Sequence, residues 1–127
     1  QKKPEDFVIA TGKQFSVREF ILWTAKALGI ELEFEGTGLE EIGRIVGFSG
    51  EGYETLSIGD IIVRIDPHYY RPAEVETLLG DPSKAKQKLG WEPLISAQEM
   101  CQEMVAHDLK EVMEKKLIQT NNLSSKI

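Results

Sequence analysis

Two Ser-x-x-Glu patterns, Ser16-Val17-Arg18-Glu19 and Ser96-Ala97-Gln98-Glu99, constrain the fold of this chain more than any other feature. In each, the serine oxygen can accept from a backbone N–H of a new helix while the glutamate reaches back to the serine N–H, so each predicts a helix start. After the first box, Phe20, Trp23, Thr24, Ala27 and Leu28 recur at helical spacing, and Gly29 can take the left-handed conformation that ends a helix. The predicted span is 17–28. After the second box, Met100, Cys101, Met104, Val105, Leu109 and Val112 trace one apolar face, with Glu103, Lys110 and Glu114 on the other. Ile95 can staple against Met100, and the helix is predicted to persist to about Leu117. Its charged face makes it an amphipathic domain helix rather than a membrane segment.

Between and before these helices the pattern changes to that of strands. Asp6–Gly12 is a short apolar run with a β-branched centre, read as a core strand. Ile30-Glu31-Leu32-Glu33-Phe34-Glu35 alternates apolar and charged residues, as a strand with one buried face does. Seven of the eleven glycines lie between Gly36 and Gly59, where turns and short strands at 42–48 and 55–58 are expected. Ile61–Ile65 is a further strand. Gly80-Asp81-Pro82-Ser83 supplies an Asp cap and a proline at the first helical position of a short helix ending near Leu89-Gly90, with Trp91 packed beside it. These elements predict a small mixed α/β unit over 1–119 with a flexible tail at 120–127, and no internal repeat.

The chain has 127 residues and a net charge of −6, which argues against broad electrostatic contact with nucleic acid. Residues 31–60 hold eight acidic side chains and Arg44, a local balance of −7 that leaves +1 for the rest, so a phosphate site is expected elsewhere. One cysteine, Cys101, excludes an internal disulfide framework and fits a reducing, cytoplasmic setting. There is no apolar run of about 18 residues to cross a membrane. The chain begins Gln1-Lys2-Lys3 without an initiator methionine, which fits a piece of a longer protein.

Several chemistries are not encoded. Gly36–Gly43 lacks GxGxxG spacing, no P-loop is present, and Tyr53, Tyr69 and Tyr70 have no lysine four residues later. His68 and His107 stand alone, with no clustered Cys/His motif for a metal, and are read as structural or exposed. Cys101 sits on an apolar helix face and is read as packing. The carboxylate pairs Glu40/Glu41 and Glu74/Glu76 do not by themselves diagnose catalysis.

Arg71 and Glu74 are the sharper candidates. A guanidinium can pair with phosphate oxygens, and a carboxylate can accept from a ribose hydroxyl or a guanine N–H. The plainer reading is an Arg–Glu surface pair three residues apart that organises the turn. Arg18 is a further ligand candidate, set against a surface role at the helix start, where a positive charge is not favoured.

The segments Phe7–Gly12, Ser16-Val17-Arg18-Glu19-Phe20, Tyr69-Tyr70-Arg71-Pro72-Ala73-Glu74-Val75-Glu76 and Leu79-Gly80-Asp81-Pro82-Ser83-Lys84-Ala85 occur in an order that resembles the C-terminal part of the GDP-mannose 4,6-dehydratase family. The resemblance runs from about Phe7 through the helix containing Glu99–Val105. The Gly80-to-Trp91 portion alone is shared more widely among extended short-chain dehydrogenase/reductase enzymes of sugar nucleotides. The resemblance implies a two-part α/β enzyme: an N-terminal NADP-binding Rossmann domain with the catalytic groups, absent from this chain, and a smaller C-terminal substrate-binding region, which this chain resembles. It implies GDP-mannose as substrate, a homo-oligomer as the full-length enzyme, Arg71 as principal diphosphate-binding residue, Glu74 as its nucleotide-orienting neighbour and Arg18 as a contributor to the ligand region or to an interface. It assigns no catalytic residue, cofactor-binding residue or metal ligand to this chain, which alone is expected to be inactive. The alternatives are the substrate region of another NDP-sugar epimerase or dehydratase, and a noncatalytic sugar-nucleotide-binding or assembly module.

Overall fold

The computed structural model describes residues 3–50, 52–71 and 78–124, with side-chain surroundings given through 118. Helix α1 spans Val17–Ala27 and opens on the expected capping box: Glu19 N donates to Ser16 Oγ at 3.1 Å, and Ser16 N donates to Glu19 Oε2 at 2.7 Å. It closes where Gly29 takes φ +73, and the chain turns directly into strand β1, Ile30–Glu35. Ile30 and Leu32 face inward and Phe34 is half-buried, while Glu31, Glu33 and Glu35 are exposed. A 3-10 turn at Gly38–Glu40 leads to strand β2, Ile42–Phe48, and β3 follows at Ile61–Arg64. The three form an antiparallel sheet in sequence order, with bulges between Glu31/Leu32 and Gly43/Arg44.

Helix α1 packs on β1, and Ala25, Ile30, Leu32 and Ile45 form the buried core between them, with Ile21, Leu28, Phe34, Phe48, Tyr53, Leu56 and Val63 packed around it. Gly43 lets β2 and β3 approach: a Cβ there would lie 2.8 Å from Val63 Cβ and 3.2 Å from Leu32 Cδ2.

Helix α2 spans Ser83–Leu89, one residue later than expected, with Asp81 Oδ1 accepting from Ser83 N at 2.9 Å. Helix α3, Ala97–Ser124, carries the second capping box, in which Ser96 N donates to Glu99 Oε2 at 2.8 Å and Glu99 N donates to Ser96 Oγ at 3.2 Å. It runs past the expected end near Leu117.

Three expectations are corrected. Asp6–Gly12 forms no strand among the described residues, and Val8 and Ile9 are 51% and 59% exposed. A strand requires a ladder partner, and this segment is instead held by side chains of α2: Lys84 Nζ donates to Asp6 O at 2.8 Å and lies 4.9 Å from the Phe7 ring centroid. Residues 55–58 form turns rather than a strand, because Leu56 N donates to Tyr53 O and Ser57 N to the Asp60 carboxylate, satisfying the backbone locally. On α3, Cys101 is fully buried and Val105 half-buried, but Met100, Met104, Leu109 and Val112 remain exposed. The eleven-residue α1, about 16 Å long at 1.5 Å per residue, meets a helix more than twice its length, and Thr24 contacts it at Cys101.

Candidate functional site

The first turn of α1, the C-terminal end of β1, the turn before β2 and the end of β3 line a solvent-open cavity of about 290 Å³. Its lining includes Ser16, Arg18, Ile21, Phe34, Glu41, Val63 and Ile65. Capping geometry fixes where α1 begins, and so places Arg18 at its second residue. There the positive end of the helix disfavours a cation. The structure supplies what the local sequence lacks: Glu41 Oε1 accepts from Arg18 Nε at 2.8 Å and also from Arg18 Nη2. The Glu41 side chain is only 15% exposed, whereas that of Arg18 is 57% exposed, so the carboxylate lies beneath the guanidinium. The guanidinium carbon also stands 5.4 Å from the Phe34 ring centroid, within cation–π range.

From Ile65, on the cavity wall, the chain enters a turn in which His68 N donates to Asp66 Oδ1 at 2.9 Å and Tyr69 N to Asp66 O at 3.1 Å. The turn carries Tyr70 back toward the Gly38–Glu40 segment, where a Cβ on Gly38 would lie 3.7 Å from the Tyr70 hydroxyl oxygen. Arg71 follows immediately and is exposed. The Gly38–Glu41 turn therefore meets Arg18 through Glu41 and Tyr70 through Gly38. Glu74 lies outside the described residues.

Glu41, Phe34 and Tyr70 were not candidates from sequence. Glu41 looked like half of an undiagnostic carboxylate pair, and its partner is 23 residues away. Phe34 sits at an inward position of the β1 alternation, the signal that places it against the first turn of α1.

The remaining candidates take structural positions. His68 meets the Tyr69 ring edge-on, and His107 pairs on the surface of α3 with Glu111, four residues on. Cys101 Sγ is buried 3.3 Å from Thr24 Oγ1, at the contact of α1 with α3. Among the described residues no group of three His, Cys, Asp or Glu could hold a metal ion, and no helix is long and apolar enough to cross a membrane.

The shifted carboxylates belong to the framework. Hydrogen bonds from the Ser16 backbone and hydroxyl hold Glu19 below the usual carboxylate range, those of Ser96 do the same for Glu99, and the hydroxyl and N–H of Ser83 lower Asp81. Hydrogen bonds from Lys88 and Lys84 lower Glu5, tying the N-terminal segment to α2.

Fold and site together define a small mixed α/β region in which a fixed arginine stands at a cavity, with no parallel nucleotide-binding core among the described residues. Comparison with known proteins supplies the lineage: a profile of the GDP-mannose 4,6 dehydratase family matches residues 1–104. The chain belongs to the GDP-mannose 4,6-dehydratase family. It is 64% identical over 110 residues to a GDP-mannose 4,6-dehydratase of Vibrio cholerae, covering 87% of this chain and 30% of that protein. It is 58% identical over its whole length to the Yersinia enterocolitica GDP-mannose 4,6-dehydratase, 34% of which it covers. A GDP-mannose 4,6 dehydratase of Cricetulus griseus is 44% identical over 108 residues, 85% of this chain and 26% of that protein. The chain thus spans about a third of the length of the bacterial relatives it matches.

Proposed function

We propose that this chain is the substrate-positioning region of a GDP-mannose 4,6-dehydratase that converts GDP-α-D-mannose to GDP-4-dehydro-6-deoxy-α-D-mannose and water. Family membership supports the reaction. The observation that carries the role of this region is the Arg18 guanidinium, fixed at a cavity by Glu41 and Phe34. At about 290 Å³ the cavity lies at the lower end of small-molecule pockets and suits one part of a nucleotide sugar rather than the whole.

In this reading Arg71 is the principal contact of the diphosphate, Arg18 a second cation for the same ligand, and Glu74 an acceptor for the nucleoside. Two guanidiniums offset the diphosphate charge with paired N–H donors. Holding the GDP moiety, which does not change in the reaction, orients the hexose whose C4 is oxidised, whose C5 and C6 lose water and whose C6 receives the hydride. Such remote binding lowers the barrier by positioning.

NADP supplies the hydride acceptor and donor in the family's chemistry. The described residues offer it no strand, glycine-rich turn and helix in sequence, and in this proposal the N-terminal part of the parent enzyme holds it. A homo-oligomeric, cytoplasmic parent enzyme completes the proposal.

The test is to assay the full-length parent enzyme with GDP-mannose and NADP for the 4-dehydro-6-deoxy product. Folded enzyme that makes none refutes the reaction. Turnover of a different nucleotide sugar would favour a related epimerase or dehydratase, and saturable GDP-mannose binding without turnover a noncatalytic module. Within an active enzyme, Arg71→Ala is expected to weaken GDP-mannose binding, and unchanged affinity would remove Arg71 from the diphosphate.

A further inference from the structure

We infer that Glu41 is a positioning residue that sets the orientation in which Arg18 meets an anionic ligand. This deepens the proposed function and rests on its reading of Arg18 as a diphosphate contact.

A guanidinium has five N–H donors in a planar fork. Arg18 Nε and Nη2 each direct one of them to the single oxygen Oε1 of Glu41. Three donors remain, two on Nη1 and one on Nη2, and the Nη1–Nη2 edge has the spacing that pairs with two oxygens of a phosphate. The central carbon of the guanidinium stands over the Phe34 ring, 5.4 Å from its centroid. One edge is thus held over an aromatic ring, and the group that results lines the cavity.

The asymmetry of exposure assigns the roles. The Glu41 side chain is mostly covered and that of Arg18 mostly open, so the carboxylate acts as the fixed base and the guanidinium as the presented group. Glu41 has its own anchorage, because the 3-10 turn before it is closed by Glu41 N donating to Gly38 O at 3.3 Å, and β2 begins at the next residue. An arginine with four side-chain torsions would otherwise lose rotamer freedom on meeting a ligand, a cost removed when it is ordered beforehand. A purely competitive carboxylate, one that only neutralises Arg18 until an anion displaces it, would have the opposite effect on affinity, and substitution separates the two.

The experiment measures GDP and guanosine affinity of the full-length parent enzyme carrying Glu41→Ala, Glu41→Gln, Arg18→Ala and the double substitution Arg18→Ala/Glu41→Ala. Thermal unfolding of each variant checks that it is folded. Glu41→Ala is expected to weaken GDP by about three- to tenfold, within the range of directly coupled side chains, and to leave guanosine unchanged because guanosine lacks the diphosphate. Glu41→Gln keeps an acceptor oxygen for Nε and Nη2 and is expected to restore GDP affinity to near the native value. In the Arg18→Ala background, loss of Glu41 is expected to add nothing. If Arg18→Ala weakens GDP but Glu41→Ala does not, the positioning role fails and the Arg18 contact stands. If Glu41→Ala tightens GDP, the carboxylate is a competitor and the inference is overturned. If Arg18→Ala leaves GDP affinity unchanged, both the inference and the reading beneath it fall.

Discussion

Gly43 and Gly47 lie on the same strand, and the same substitution is expected to have opposite consequences at the two positions. Neither has a positive φ, so alanine meets no backbone strain at either and gains from a less flexible unfolded chain, about 0.4–1 kcal/mol. At Gly43 the new Cβ would lie 2.8 Å from Val63 Cβ and 3.0 Å from Val63 Cγ2, with Leu32 Cδ2 at 3.2 Å on another side. The first of these atoms is anchored to the backbone of the neighbouring strand, so β3 must move outward. Overpacking of this kind costs about 1–3 kcal/mol, leaving Gly43→Ala destabilised by about 1–2 kcal/mol after the unfolded-state gain. At Gly47 the nearest atom is Glu31 Oε2 at 2.6 Å, the end of a flexible, exposed side chain that can swing aside, so Gly47→Ala is expected to be neutral or slightly stabilising. Denaturant unfolding followed by tryptophan fluorescence reads both as midpoint shifts at unchanged slope. Because Val63 also lines the Arg18 cavity, Gly43→Ala is expected to weaken GDP binding by the parent enzyme, and Gly47→Ala to leave it alone. Equal destabilisation by the two substitutions, or none by Gly43→Ala, would refute the close-packing argument.

Ile45 is fully buried at the centre of the core, so Ile45→Ala is expected to cost about 2–5 kcal/mol in the same unfolding measurement. Ser16→Ala and Ser96→Ala each remove a cap and are expected to lower stability by about 1 kcal/mol, visible as a reduced unfolding midpoint. Glu19 and Glu99 titrate below their unfolded values because the backbone and hydroxyls of Ser16 and Ser96 donate to the carboxylates. A depressed folded pKa contributes stability that is complete above the unfolded value, about 4.3, and is lost as pH falls through the lower folded value. Unfolding midpoints measured from pH 6 downward should therefore drop below about pH 5, and the drop should shrink in a Ser16→Ala/Ser96→Ala variant.

How far the sequence revealed the fold depended on whether each signal was local. Helix α1 was legible at both ends because Ser16, Glu19 and Gly29 supply their own cap chemistry within a few residues. Strand β1 was legible because its alternation needs only one buried face. Asp6–Gly12 misled because apolar, β-branched composition records suitability for a ladder, not the presence of a partner strand, and α2 lysines hold the segment instead. The apolar positions of α3 were read as one stripe, but of the six only Cys101 and Val105 are covered, and which positions meet α1 depends on a packing that no window on α3 contains. At the site, Arg18 was a candidate from its own chemistry. Glu41 was invisible because its meaning depends on a contact 23 residues distant, created by the turn from β1 to β2.

The acidic run at 31–60 bears on how an anion could be received here at all. Summed along the sequence it disfavours phosphate, and that reasoning placed the anion site elsewhere. The β1 pleat sorts the charge differently: Glu31, Glu33 and Glu35 point to water on one side of the sheet, while Phe34 is turned toward α1 and the cavity. A carboxylate on the far face is screened by solvent over roughly a Debye length of 8–10 Å at physiological ionic strength, so its repulsion at the cavity is weak. Glu41 is the acid of this run that lines the cavity, and its charge is already matched by Arg18 at hydrogen-bond distance. The pair is close to neutral as a unit, with the guanidinium the more exposed member. Arg18 therefore offers a diphosphate directed N–H donors with part of its charge already offset by Glu41, and in the proposed function Arg71 supplies the larger share of the attraction. A two-cation site predicts a steeper loss of GDP affinity with salt for the native parent enzyme than for Arg71→Ala, and parallel salt slopes for the two would remove Arg71 from that role.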